Sequence, residues 1–146
     1  MKLMVINGPN LNLLGVREPE IYGDQSYADL EQYIETYAEE QGCEVVVLQS
    51  NGEGEIIDFI HHALGNYDGI IINPAAYTHY SYAIHDALTS VNLPAVEVHL
   101  SDISQREEFR RISVTAPACK TQICGQGFEG YALAMDYLLK EGKNDA

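Results

Sequence analysis

The segment "VEVHLS" sets a carboxylate and an imidazole two residues apart, at Glu97 and His99. On a strand, both side chains leave the same face. A carboxylate beside an imidazole raises its basicity and fixes its orientation, giving a group that passes protons near neutral pH. A purely structural His–Glu hydrogen bond is the alternative. A second pair stands in "REPEIYG", where Arg17 precedes Tyr22 by five residues. Free tyrosine ionises near pH 10, so a tyrosine base working near pH 7 needs roughly 4 kcal/mol of preferential stabilisation of its phenolate. A neighbouring guanidinium is the obvious supplier. With ten Tyr in the chain, a surface Arg stacked on a Tyr competes with that reading.

Other chemistries lack their residues. His79 and His85 lie six apart with no clear third ligand, so no metal site is predicted. His61 and His62 fall within an amphipathic helix pattern and read as a solvated or helix-packing pair. No G-x-G-x-x-G follows the first strand, and neither G-x-x-x-x-G-K-[ST] nor G-x-S-x-G occurs. Asn7 and Asn73 stand where a phospho-receiver would need acids. The four Lys sit at the first strand's start, at a later strand's start, or in the C-terminal helix and tail, which disfavours a Schiff base. What remains is cofactor-free proton chemistry with amide and cationic stabilisation of an oxyanion.

Eight basic residues against 22 acidic ones give a formal charge of −14, which repels nucleic acid and anionic membrane surfaces. An anionic substrate would have to sit where the four Arg gather: Arg17, Arg106, Arg110 and Arg111. No apolar run approaches the ~18 residues of a membrane span, and no leader pattern opens the chain, so a cytoplasmic protein is expected. Cys43, Cys119 and Cys124 fit neither a disulfide framework nor a zinc pattern and read as buried reduced thiols.

The elements that must position these residues alternate. Leu3 to Ile6, Val45 to Leu48, Gly69 to Ile72, Ala95 to Leu100 and Lys120 to Cys124 read as strands, with Cys43 and Cys119 at apparent strand starts. Helices run between them from Tyr27 to Gly42, through Ile56 to Gly65, through Ala83 to Leu88, and from Phe128 to Leu139. Continuous rather than alternating apolar runs argue for a parallel sheet covered on both faces. The prediction is one domain over residues 1–146 with an α/β, flavodoxin-like, doubly wound five-stranded parallel sheet and helices on both faces. The later strands start every 25 or 26 residues, whereas 41 separate Lys2 from Cys43. The excess of about fifteen residues lies in the loop from Asn7 to Ser26, and a lid over residues 15–26 is expected at the strands' carboxyl ends. "SQREEFRR" reads as the start of a charged helix on which Arg106 and Arg110 share a face, and residues 141–146 read as a disordered tail.

The motifs "NGPNLNLLGVREPEIYG", "QSNGEGEIID", "NPAAYTHYSYAIHDAL", "VEVHLSDISQREEFRR" and "GQGFEGYALAM", in this order, resemble the type II 3-dehydroquinate dehydratases over essentially the whole chain. The resemblance implies a lyase that converts 3-dehydroquinate to 3-dehydroshikimate by anti elimination through an enolate, without cofactor or metal. It would serve the shikimate pathway of aromatic amino acid biosynthesis or quinate catabolism. It further implies a homododecamer built as a tetramer of trimers. Carried over residue by residue, Tyr22 would be the base, Arg17 its activator, Asn10 the holder of an oxyanion-stabilising water, and His99 with Glu97 the acid. Asn73, His79, Leu100, Ser101 and Arg110 would hold substrate, with Asp86 reaching a neighbouring subunit's site. Arg106 would stand near the lid.

The chain departs from the family at Ala75, Tyr80 and His85, where Gly, Thr and Arg are usual, and at Asp102, where Asn is usual. Asp102 adds negative charge near the expected carboxylate site. Substrate binding weaker than in a His85→Arg, Asp102→Asn double variant is the expectation.

Overall fold

The structure, a computed structural model, describes residues 1–16 and 25–145. Five strands form one parallel sheet: β1 (Lys2–Asn7), β2 (Glu44–Gln49), β3 (Gly69–Asn73), β4 (Ala95–His99) and β5 (Thr121–Cys124). Their order is β2-β1-β3-β4-β5, the flavodoxin-like arrangement predicted. Helices α1 (Tyr27–Gln41), α2 (Glu53–Ala63), α3 (Tyr82–Val91) and α4 (Glu129–Asp145) connect or follow them.

Both faces are covered, which is why the strands are apolar without alternation. Leu3, Val5, Ile71, Val96 and Val98 pack with Leu30 and Ile34 of α1 and Tyr131, Met135 and Leu138 of α4. Met4, Ile6, Ile70 and Ile72 point the other way and pack with Ile56 and Ile60 of α2 and Ile84 and Leu88 of α3. Each such fully buried side chain contributes about 2 kcal/mol of transfer free energy. Local signals set the helix ends. Ser26 and Asp29 form a capping box at α1, the Ser26 hydroxyl accepting from Asp29 N at 3.1 Å and the Asp29 carboxylate from Ser26 N at 2.9 Å. Gly42 then ends α1 with φ of 71°, a left-handed conformation that costs glycine nothing.

Three details differ from expectation. "SQREEFRR" is not an α-helix. It forms two single turns, Ile103–Gln105 and Glu108–Arg110, because Asp102 caps the first through Ser104 N and Arg106 then adopts extended backbone. Arg106 and Arg110 therefore share no helix face. The thiols are free, but only Cys43 is buried; Cys119 and Cys124 are half-buried. Cys119 ends a single turn (Ala116–Ala118) two residues before β5. Finally, α4 continues through Asp145, so helical backbone occupies most of the segment predicted as a disordered tail from Glu141. Among the described residues no helix is long and apolar enough to cross a membrane.

Candidate active site

The centre of the site is built by β4. Val96 and Val98 enter the core shared with α4, which leaves Glu97 and His99 on the opposite face. Glu97 is fully buried, and an unpaired carboxylate there would be severely destabilising. Four donors meet it. His99 Nε2 donates to Oε2 at 2.8 Å, Ser113 Oγ at 2.8 Å and Gln122 Nε2 at 2.7 Å, while Thr115 Oγ1 donates to Oε1. Gln122 is the residue opposite Glu97 in the β4–β5 register, so the sheet itself delivers that amide. Burial pushes the Glu97 ionisation upward, but the bonds and charge of His99 and the Thr115 and Gln122 bonds outweigh it and hold the carboxyl below its ordinary range. Glu97 is a fixed anion at neutral pH. With Nε2–H spent on it, His99 has Nδ1 left for a ligand.

His99 opens into a cleft lined by Pro9, Asn10 and Leu11 after β1, by Asn73, Ala75, Ala76 and His79 after β3, and by Leu100, Ser101, Ile103, Arg106 and Arg110 after β4. This is the crevice at the carboxyl ends where such sheets bind ligands. The first two walls touch: a Cβ on Gly8 would lie 2.6 Å from the Pro74 carbonyl oxygen, so only glycine allows the approach. Asn10 adopts φ of 71° and its backbone N–H donates to Asn51 Oδ1 at 3.0 Å. Gln49 Nε2 reaches the same Oδ1 at 3.0 Å and Asn12 Oδ1 at 3.3 Å, and the Tyr77 hydroxyl donates to the Asn51 carbonyl at 2.9 Å. Gln49, Asn51, Asn12 and Tyr77 thus buttress the Asn10 turn instead of lining the cleft.

His79 donates from Nδ1 to the Ile112 carbonyl at 2.7 Å, and His85 does the same to Val114 at 2.7 Å, tying α3 and its preceding turn to the segment that carries Ser113 and Thr115. Burial, aided by the nearby positive groups His99 and Arg110, lowers the His79 ionisation despite its bond to Ile112. His79 is therefore neutral with Nε2 as an acceptor. Neither residue joins a metal-binding cluster among the described residues. Arg110 is half-buried, with Nε 2.9 Å from the Glu107 carboxylate. Past β4, the Gly125 amide reaches the carbonyls of His99 at 3.2 Å and Ser101 at 3.1 Å, and the Gly127 amide that of Leu100 at 3.1 Å. These bonds fix the peptide planes of the turn carrying Leu100 and Ser101.

Of the residues predicted for the site, Asn10, Asn73, His79, Glu97, His99, Leu100, Ser101 and Arg110 come together here. Asp86 does not; it is exposed on α3. Arg17 and Tyr22 lie outside the described residues. Ser113, Thr115, Gln122 and Tyr131 were missed, and only the even alternation of "TQIC" could have placed Gln122 on one face with Glu97 across the sheet. Two departures have structural work: His85 anchors Val114, and Asp102 caps Ser104 through both its N–H and its hydroxyl.

The model of the Dehydroquinase class II family matches residues 1–139. The chain belongs to the class II dehydroquinase family. It is 61% identical over 145 residues to a 3-dehydroquinate dehydratase of Clostridium perfringens, covering 99% of each chain. It is 59% identical to the 3-dehydroquinate dehydratase of Clostridium acetobutylicum, over 94% of this chain and 96% of that one. The crystal structure of the type II dehydroquinase from Butyrivibrio crossotus superposes with a TM-score of 0.94 at 56% identity, covering 95% of this chain and 97% of the other. The chain is thus an enzyme of that family.

Proposed function

We propose that this enzyme removes water from 3-dehydroquinate to give 3-dehydroshikimate by anti elimination. Tyr22, with its ionisation lowered by Arg17, takes a proton from C2 as lid residues 15–26 close, and an enolate forms. Asn10 positions a water that stabilises the enolate oxygen. His99, oriented by Glu97, then protonates the C1 hydroxyl, which leaves as water. The two proton transfers balance as the net loss of one water. The Leu100 and Ser101 amides, the Ser101 hydroxyl and the Asn73 amide bind the substrate carboxylate, while His79 and Arg110 meet the ring oxygens. Neutral donors suit an anion in a protein of charge −14, since they attract it without adding to the cation count. No metal or cofactor takes part.

The observation that carries this reading is the 2.8 Å bond from His99 to a fully buried, ionised Glu97 at the cleft floor. The partner proposed for Asp86 is a neighbouring subunit's site, in a homododecamer arranged as a tetramer of trimers. Tyr82, one turn before Asp86, is 68% exposed, and Tyr80, Phe109 and Ile112 are exposed as well, which suits a face covered by another copy. A cytoplasmic role in aromatic biosynthesis or quinate catabolism completes the proposal.

The test follows the enone absorbance of the product after mixing metal-free enzyme with 3-dehydroquinate, beside Tyr22→Phe. Turnover by the wild type and a loss of at least about a hundredfold in the variant are expected. A folded, assembled wild type without turnover would overturn the reaction, and an unaffected variant would overturn the base.

A further inference from the structure

We infer that Tyr131 is a positioning residue for the cleft: its buried hydroxyl, held between Asn7 and Asn73, joins the Ala75 N–H in holding the Asn73 amide in the orientation that offers the ligand an N–H. The inference rests on the reading of Asn73 as a substrate-binding residue.

Asn7 and Asn73 are register neighbours at the ends of β1 and β3, on the sheet face that α4 covers, and Tyr131 rises from the first turn of α4 to meet both. Asn7 and Tyr131 are fully buried and Asn73 is 4% exposed, so each polar atom needs a partner within the protein or the ligand. The polarity is set by the Ala75 backbone N–H, which can only donate: Asn73 Oδ1 accepts from it at 3.1 Å, so Nδ2 faces the Tyr131 oxygen at 3.3 Å. A hydroxyl has one proton to donate. The Tyr131 oxygen, accepting from Asn73, gives its proton to Asn7 Oδ1 at 2.7 Å, and Asn7 Nδ2 lies 3.5 Å from the Tyr27 hydroxyl.

One hydrogen of Asn73 Nδ2 is left, and it is what the amide offers the cleft. A flipped amide would face Nδ2 against the Ala75 N–H and turn a lone pair toward an anionic ligand. Tyr131 and the Ala75 N–H together hold Asn73 as a donor, which favours a carboxylate or carbonyl oxygen at that point. Burial pushes the Tyr131 ionisation upward, which keeps the proton on the hydroxyl.

The test is steady-state kinetics with 3-dehydroquinate on wild type, Tyr131→Phe, Asn73→Ala and the double variant. Tyr131→Phe should raise KM about tenfold, the loss of one oriented hydrogen bond, with kcat within about twofold of wild type. Asn73→Ala should raise KM at least as much, and the double variant should be no worse than Asn73→Ala alone. A Tyr131→Phe enzyme that melts lower with unchanged KM, or effects that multiply in the double variant, would overturn the inference. Unchanged KM in Asn73→Ala would instead remove Asn73 from the substrate site and take the inference with it. Should Tyr131→Phe fail to fold, Asn7→Leu removes the acceptor at a fully buried position outside the cleft; the same KM rise is expected, and an unchanged KM overturns. In wild type, NMR of the Asn73 side chain should show the Nδ2 proton facing Tyr131 exchanging more slowly than its twin, and equal exchange would contradict the relay.

Discussion

On the floor of the cleft His99 turns Nε2 to the Glu97 carboxylate at 2.8 Å; on its wall His79 turns Nδ1 to the Ile112 carbonyl at 2.7 Å. The two rings are close enough that His99 lowers the ionisation of His79, yet their partners differ in charge. The buried Glu97 anion orients the His99 ring, as suits a group that delivers a proton. Burial, with His99 and Arg110 nearby, favours an unprotonated His79 ring that accepts a hydrogen bond, although its bond to the Ile112 carbonyl works the other way. The comparison teaches that the residue type marks where proton chemistry is possible, and the ring's surroundings, a buried anion at His99 and burial beside positive groups at His79, decide which role it takes.

The largest break in this contrast is His99→Gln, which removes the acid and should lower kcat by about a hundredfold or more; His79→Gln, which keeps an acceptor, should act mainly on KM. Steady-state kinetics of the two variants tests the division, and equal kcat losses would erase it. Next in size is Glu97→Gln. The new amide would face its nitrogen toward groups that now donate, leaving buried donors opposed, and should cost about 3 kcal/mol of stability by chemical denaturation as well as activity. A variant as stable as wild type would show that the donors around Glu97 do not depend on its charge.

The pH dependence of stability sharpens the contrast further. Both His79 and Glu97 ionise below their unfolded values, so each contributes stability that is complete above its unfolded value and is lost as pH falls through the lowered one. The loss attributable to His79 begins below about 6.5 and that of Glu97 below about 4.5. Denaturation of wild type and His79→Gln between pH 7 and pH 4 should show a shallower decline for the variant in the upper part of that range. Parallel curves would contradict a lowered His79. The smallest effect expected is at Ala75, whose φ of 55° burdens a side chain where the family usually has glycine. Ala75→Gly should stabilise by about 0.5 kcal/mol, relief of strain partly offset by unfolded-chain entropy; thermal melting checks the sign.

The parallel sheet and the helix placement were legible because covering both faces writes contiguous apolar runs into Leu3–Ile6 and Gly69–Ile72, and because Ser26 and Gly42 mark the ends of α1. The turn after β4 was not, since Asp102 and the long-range packing of that segment override the helical pattern of "SQREEFRR". Glu97 and His99 announced themselves by a spacing of two; the other donors to Glu97 arrive 16 to 25 residues later in the chain, and the β4–β5 register is what delivers Gln122. Tyr131 was hidden for a similar reason. One of ten tyrosines, it gains its meaning from two asparagines that end adjacent strands.

The most direct test of the contrast between the two rings is their tautomers, read from imidazole nitrogen NMR shifts with assignment by single His→Gln variants. In the neutral ring, His99 should carry its proton on Nε2, facing Glu97, and His79 on Nδ1, facing Ile112. The same tautomer in both rings would contradict the account, because one of the two bonds that separate their roles would then be absent.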